Sequence, residues 1–343
     1  MVNAIKELLI SYGDNGGWYN PKKILPYFDD TMLMFIIGER RIGKTDLMLR
    51  LACDLWKKYG KKTMWIRNKA VELNDPAFFG AFLNDAWKHG WAPTEWECRP
   101  DGVYDTTINE RIILFQSIST FSNRRGGAHP DVEMMVLDEI MPEDRRYPPK
   151  CATGLMSLTK TVFSGNTNAR CFALSNFVSI ANPYFATFQV YPEAKTDVTY
   201  YQDKRILIEV CKGYHKAIEK DNPWNNVYIA GKYQDYASEE EDPLLNLIRK
   251  IPKGAKECNF KIIREGVWYK PYLHKGLLYW DIYNNKNGSN RDLQWSATLQ
   301  ECTDDIILLP ARVKKEFKDG VNRMRFKSPN VLYVVLSMLF EQV

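Results

Sequence analysis

Apolar residues recur along this chain in two periods, and their alternation sets the first expectation for the fold. Met32-Leu33-Met34-Phe35-Ile36-Ile37 is a continuous apolar run, the pattern of a strand buried on both faces of a parallel sheet. Over residues 46–59, Leu47, Leu51 and Leu55 repeat at helical spacing with Met48, Ala52 and Trp56 beside them, and Gly60 supplies a stop. Residues 62–67 read as a second strand, followed by a helical stretch rich in aromatics (Phe78, Phe79, Phe82, Trp87). Residues 111–117, 133–137 and 171–174 read as further strands. Strands alternating with helices predict a parallel α/β sheet. After about residue 195 the pattern changes. Asp221-Asn222-Pro223 and the acidic run ending at Pro243 are polar and turn-rich, residues 258–264, 266–272 and 276–283 read as a short antiparallel meander, and helices are expected near 310–319 and 329–342. The expected organisation is an α/β domain over 1–197, a linker or small connecting domain over 198–245, and a smaller α+β domain over 246–343.

Composition changes this picture little. With 343 residues, 45% hydrophobic and 26% charged, the chain has the material for one large or two ordinary globular domains. A net charge of +5 is compatible with a nucleic-acid partner without demonstrating one. The seven cysteines form no CxxC pair and the four histidines are scattered, so no zinc pattern is present and a reducing cytosol is expected. The first twelve residues contain no apolar signal core, and the apolar runs 32–37 and 331–340 are too short to span a bilayer, which predicts a soluble cytoplasmic protein without a membrane partner.

The chemistry begins directly after the first strand. Gly38-Glu39-Arg40-Arg41-Ile42-Gly43-Lys44-Thr45, followed by Asp46, fills G-x-x-x-x-G-K-[ST] without a gap. The two glycines permit backbone angles that bring N–H groups round a phosphate. Lys44 is positioned to reach the β- and γ-phosphates of ATP, the Thr45 hydroxyl to ligate Mg²⁺, and the following helix points its positive end at the anion. Arg40, and after it Arg41, are candidates to stabilise charge on the γ-phosphate.

Two further strand ends carry polar residues. Glu133-Met134-Met135-Val136-Leu137-Asp138-Glu139 is an apolar strand ending in two carboxylates, a Walker B arrangement in which Asp138 serves the Mg²⁺ shell and Glu139 orients or deprotonates the attacking water. Glu139 favours hydrolysis over phosphoryl transfer to a metabolite. Cys171-Phe172-Ala173-Leu174-Ser175-Asn176 repeats the design, with Ser175 or Asn176 as γ-phosphate sensor or as a cap of the next turn.

Several stretches in one order carry a resemblance. They are Tyr19-Asn20-Pro21, the phosphate loop, Val136-Leu137-Asp138-Glu139, Thr161-Val162-Phe163 and Arg170-Cys171…Leu174-Ser175-Asn176, followed by Val178…Asn182-Pro183-Tyr184-Phe185. With them the chain resembles the genome-packaging ATPases (encapsidation proteins) of small phi29-like podophages, strongly over 18–190 and traceably near 266–281. The resemblance implies a P-loop ATPase of the ASCE type, with the extra catalytic Glu, and a C-terminal domain resembling an RNase H-like nuclease that has lost cleavage. It implies a homo-oligomeric ring, expected to be a pentamer, on the portal (connector) of the procapsid in the host cytoplasm. ATP hydrolysis would drive double-stranded viral DNA inward, with a packaging RNA as docking partner. It further implies an arginine acting in trans on the neighbour's ATP. The family places arginines shortly after the Thr-Val-Phe segment, where this chain keeps only Arg170, so Arg124 and Arg125 rank first as the trans arginine, with Arg145 and Arg146 as further candidates.

The C-terminal half adds weaker signals. From Arg312 to Lys327 seven Lys/Arg accompany two acids, a stretch suited to phosphate contact or to a solvated helix face. Asp281, Asp304 and Asp305 are the candidate ligands of a two-metal nuclease, with only Asp281 placed at a strand end. Three readings therefore compete with the ring translocase: a packaging enzyme with an active nuclease, a non-motor docking protein with a structural nucleotide site, and, more distantly, a metabolite kinase.

Overall fold

The structure is a computed structural model. It describes residues 3–13, 16–39, 41–121, 129–142, 147–176, 182–193, 196–212, 214, 247–264, 266–284 and 292–340. The chain divides into two compact units, Met1–Val178 with Pro192–Glu239, and Ser179–Tyr191 with Glu240–Val343.

The first unit is built on a nine-stranded sheet. Its strands are β1 (Leu33–Gly38), β2 (Lys62–Arg67), β3 (Trp96–Arg99), β4 (Gly102–Asp105), β5 (Glu110–Ser117), β6 (Val132–Leu137), β7 (Arg170–Asn176), β8 (Val198–Tyr201) and β9 (Ile206–Cys211), in the spatial order β3-β4-β5-β2-β6-β7-β1-β9-β8. Pairing is parallel from β5 through β9, and the flanking β3, β4 and β8 run antiparallel to their neighbours. The apolar runs seen in the sequence are the central strands: β6 is buried at every position and β1 at all but its first. Helices α1 (Ala4–Ser11), α2 (Lys44–Tyr59), α3 (Ala70–Leu73), α4 (Pro76–Ala81), α5 (Asn84–Lys88), α6 (Ile118–Phe121) and α7 (Cys151–Val162) complete the unit. Helix α2 buries Leu47, Leu51 and Leu55 on one stripe and stops at Gly60, whose φ of 61° a side chain would strain.

Residues 198–211, expected within a connecting segment, instead complete the first sheet. Ile206–Cys211 lies parallel to β1 and takes the place next to the strand that carries the phosphate loop. The rest of the expected connecting segment, 215–245, lies outside the described residues.

The second unit contains a sheet of β10 (Lys256–Glu257), β11 (Phe260–Arg264), β12 (Val267–His274), β13 (Leu277–Ile282), β14 (Leu293–Ser296), β15 (Ile307–Leu308) and β16 (Met324–Phe326). The order is β15-β14-β11-β12-β13-β16, with β10 paired to β12. β11, β12 and β13 form the expected antiparallel meander, whereas β14 joins β11, β15 joins β14 and β16 joins β13 in parallel. Ile262, Tyr269, Trp280, Trp295 and Phe326 form the core, with Val331, Leu332, Val335 and Leu339 of α10 (Pro329–Phe340) and Phe317 of α9 (Ala311–Asp319) packed on it. Helix α8 (Pro183–Phe188) also belongs to this unit and packs on α10. Among the described residues, no helix is long and apolar enough to cross a membrane.

Candidate functional site

The parallel strands end together, so the residues that follow them converge. Gly38 closes β1 opposite Asn176 of β7, and Leu137 of β6 is in register with both Ala173 of β7 and Ile66 of β2. Because β7 lies between β1 and β6, its tip stands between the phosphate loop and the acidic pair. A cleft of about 380 Å³ opens there, lined by Arg41 to Asp46, Arg67, Asp138, Glu139, Leu174, Ser175 and Asn176. Carboxyl ends of strands in open α/β sheets are where such folds bind ligands.

The loop has the backbone its sequence requires. Gly43 sits at φ 89° at the head of α2, and Arg41 holds φ 59°, a left-handed conformation rarely adopted by side chains of this kind. A side chain at Gly38 would place its Cβ 2.6 Å from the Cβ of Cys211, so that position requires glycine as well. Lys44 is buried, and its ammonium donates to the carbonyls of Gly38 at 3.1 Å and Glu39 at 2.6 Å, within the loop itself.

The acidic pair is held by groups the sequence reading did not single out. Asp138 is buried, and burial pushes its carboxyl up despite the lowering pull of Arg67. Its Oδ1 accepts from the Thr45 hydroxyl at 3.4 Å, and its Oδ2 lies 3.1 Å from Nη2 of Arg67. The other guanidinium nitrogen, Nη1, lies 2.7 Å from Oε2 of Glu139, which is half-exposed. One arginine at the end of β2 thus binds both carboxylates. The next residue, buried Asn68, donates its amide to the carbonyls of Glu139 at 2.9 Å and Ile140 at 3.1 Å. These bonds secure a turn in which Glu139 has φ 56°, a strain of about 1 kcal/mol for a residue with a Cβ. The turn is what brings two consecutive residues, which on a strand would face opposite ways, to one cleft. The missed signal was the pair Arg67-Asn68 at a strand end, legible only once β2 is known to adjoin β6.

The structure brings Gly43, Lys44, Thr45, Asp46, Asp138, Glu139 and Asn176 together with Arg41 and Ile42. Glu39 meets the site through its carbonyl. Arg170 is not among them. It opens β7 at the end away from Asn176, is 4% exposed, and spends its guanidinium on the carbonyls of Phe28, Asp29, Thr167 and Ala169. An arginine so buried and so bonded cannot reach a neighbouring subunit, and its catalytic assignment is withdrawn. Arg40, Arg124, Arg125, Arg145 and Arg146 lie outside the described residues. In the second unit, Asp281 lies 2.6 Å from the ammonium of Lys327, and Asp304 and Asp305 are exposed. Among the described residues, no three His, Cys, Asp or Glu side chains gather as a metal-ligand set.

Comparison with known proteins gives a consistent result. The family described as podovirus DNA encapsidation protein (Gp16) matches residues 13–262. The chain is 26% identical over 312 residues to the DNA packaging protein of Bacillus phage phi29, covering 86% of this chain and 87% of that protein. It is 28% identical over 296 residues to the DNA packaging protein of Bacillus phage B103, covering 84% and 88%. Its fold is similar to a chain of the bacteriophage Phi-29 viral genome packaging motor assembly, with a TM-score of 0.70 at 24% identity over 94% of this chain and 100% of that one. The crystal structure of the N-terminal domain of the DNA packaging ATPase from bacteriophage phi29 matches with a TM-score of 0.50 at 30% identity, covering 57% of this chain and 97% of that one.

Proposed function

The chain belongs to the podovirus DNA encapsidation protein family, and from that membership and the cleft geometry we propose that it is an ATP-hydrolysing ring motor that moves double-stranded viral DNA into a preformed capsid through its portal. The observation that carries the reading is the meeting of Lys44, Thr45, Asp138, Glu139 and Asn176 in one cleft at three adjacent strand ends. In the sheet one strand, β7, separates the loop strand from the acidic strand, the arrangement of ASCE ATPases, and that strand supplies the polar tip.

Each residue has a task set by its place. The N–H groups of the loop and the head of α2 receive the polyphosphate, and Lys44 exchanges its loop carbonyls for phosphate oxygens. Thr45 Oγ1 and Asp138 Oδ1, two oxygens 3.4 Å apart on the floor of the cleft, suit the hard oxygen-seeking Mg²⁺, which when bound neutralises charge on the phosphates. Glu139 polarises the attacking water and takes its proton as the β–γ phosphoanhydride bond breaks to give ADP and phosphate. Arg67 fixes that carboxylate beside Asp138. Asn176 reports the γ-phosphate, Arg40 of the loop is the candidate to stabilise charge on it from within the same subunit, and the arginine from the next subunit is sought first at Arg124 or Arg125, then at Arg145 or Arg146.

The second unit supports a nucleic-acid role. Its antiparallel strands β11, β12 and β13, with β14 and β15 added in parallel beside β11 and β16 in parallel beside β13, support an RNase H-like reading, and its candidate metal ligand Asp281 is engaged by Lys327. We read it as a vestigial nuclease whose basic stretch, 312–327, contacts DNA or a packaging RNA, with Arg312 of α9 91% exposed. The motor works in the host cytoplasm on the portal vertex.

The test is ATP hydrolysis by wild type and Glu139→Gln, each with and without double-stranded DNA and portal-bearing capsids. Turnover falls by at least about 100-fold in the variant while nucleotide binding survives, and DNA with capsids stimulates the wild type. Equal turnover in both proteins would remove Glu139 from the mechanism, and an unstimulated wild type would overturn the motor reading in favour of a docking protein.

A further inference from the structure

The phosphate loop touches a second set of groups that nucleotide chemistry does not require. The segment Trp18-Tyr19-Asn20 runs along it: the Tyr19 N–H donates to the Ile42 carbonyl at 2.8 Å, and a Cβ placed on Gly43 would meet the Trp18 ring at 3.6 Å. Two of its bonds tie this strap to β9 and to the residues that follow it. Tyr19 is wholly buried and donates its hydroxyl to Oε2 of Glu209 at 2.8 Å. Half-buried Tyr214 donates its hydroxyl to the Asn20 carbonyl at 3.1 Å, and its ring meets that of Tyr19 edge-on at 5.5 Å.

Glu209 is the unexpected member. It lies on β9 opposite Ile36, two residues before Gly38, and no part of it is exposed. Among the described residues its Oε1 has no hydrogen-bond partner, and burial pushes its carboxyl up to about 7. A wholly buried acid with one bonded oxygen is costly, and an apolar residue at a strand position of this kind carries no such cost. What the acid provides and an apolar side chain cannot is an acceptor for the Tyr19 hydroxyl.

We infer that Tyr19 and Glu209 are positioning residues for nucleotide binding: Glu209 anchors the Tyr19 hydroxyl, and the strap so held fixes the Ile42 carbonyl and the left-handed turn at Gly43 from which the loop presents its N–H groups. The inference rests on the reading of the loop as an ATP site. It assigns a role to the stretch before the first strand and explains why β9, with an acid inside it, lies next to β1.

The experiment measures ATP affinity, KM and kcat on the full chain for wild type, Tyr19→Phe, Tyr214→Phe, Glu209→Leu, Glu209→Gln and Lys44→Ala, with Phe28→Leu as a core change that removes none of the strap's hydrogen bonds. Tyr19→Phe keeps the ring and removes the anchor, and raises the Kd and KM for ATP about tenfold with kcat within about twofold. Tyr214→Phe removes only the second fastening and shifts both in the same direction by less. Glu209→Leu removes the acceptor and raises Kd and KM as Tyr19→Phe does, whereas Glu209→Gln keeps an acceptor and restores most of that loss; wild-type values in Glu209→Leu overturn the role of Glu209. Phe28→Leu lowers Tm without moving KM, which separates positioning from general destabilisation. Wild-type Kd and KM in Tyr19→Phe, or in Tyr214→Phe should Tyr19→Phe not fold, overturn the inference. Undiminished ATP binding and turnover in Lys44→Ala would instead overturn the nucleotide site itself, so the two failures are distinct.

Discussion

Each unit of this chain gathers carboxylates against a cation, and the company they keep differs. In the first unit Asp138 and Glu139 share Arg67, while the second oxygen of Asp138 meets Thr45 in a cleft that also holds Lys44. In the second unit Lys270 is 3% exposed and lies 2.7 Å from both Glu257 and Asp292, over the Tyr283 ring at 4.7 Å. Those neighbours raise its pKa, a group fastened in the charged form. A buried lysine bonded to two acids is a fixed structural cation, whereas an acid with one oxygen on arginine and the other on a threonine hydroxyl, beside the glycine-bearing loop, is the centre of the proposed site. The count of acids is similar, and the chemistry follows from the neighbouring loop and helix head.

That contrast can be broken or sharpened by substitution. The largest effect is expected for Arg67→Ala, which leaves Asp138 buried without its guanidinium. Stability should fall by about 3 kcal/mol by chemical denaturation, and turnover of the folded protein more than about tenfold. Lys270→Met should cost about 2 kcal/mol in the same measurement, because the Asp292 side chain is only 10% exposed and that of Glu257 54%, yet leave ATP turnover per folded molecule unchanged. Lost turnover in Lys270→Met would erase the distinction between a structural and a functional cation. The smallest effect concerns Glu209, whose carboxyl is raised from 4.5 to about 7. The folded protein holds that proton more tightly than the unfolded chain, so wild-type stability falls as pH rises from about 4.5 through about 7 and levels above. Glu209→Gln lacks this loss, and its advantage in Tm should widen across that window and then stay constant.

Legibility in the sequence tracked how local the determinant was. β1, β2 and β6 and the loop were readable because buried parallel strands are continuous apolar runs and the phosphate motif is contiguous. The hairpin of β3 and β4 was not, since its strands are four residues each and half exposed, and its register depends on Gly102, where a Cβ would lie 2.1 Å from the Ile113 carbonyl. β9 escaped because Glu209 interrupts its apolar run, and that residue makes sense only beside Tyr19, 190 positions away. Arg67 escaped for the same reason: nothing near it in sequence announces that β2 adjoins β6. Arg170 misled in the opposite direction, as an arginine next to a site strand whose partners are backbone carbonyls.

The path of the chain has a consequence for how this protein can be divided. It leaves the first unit after β7, gives α8 to the second, and returns for β8 and β9 before crossing again. A single cut between 212 and 247 would therefore yield an N-terminal fragment still carrying Tyr184 and Phe185, both wholly buried in the intact chain, on a helix deprived of the α10 surface it packs on. Such a fragment is predicted to be stickier than its composition suggests. Recombination between relatives that respects the fold needs paired breakpoints, one pair bracketing α8 and another cut after β9.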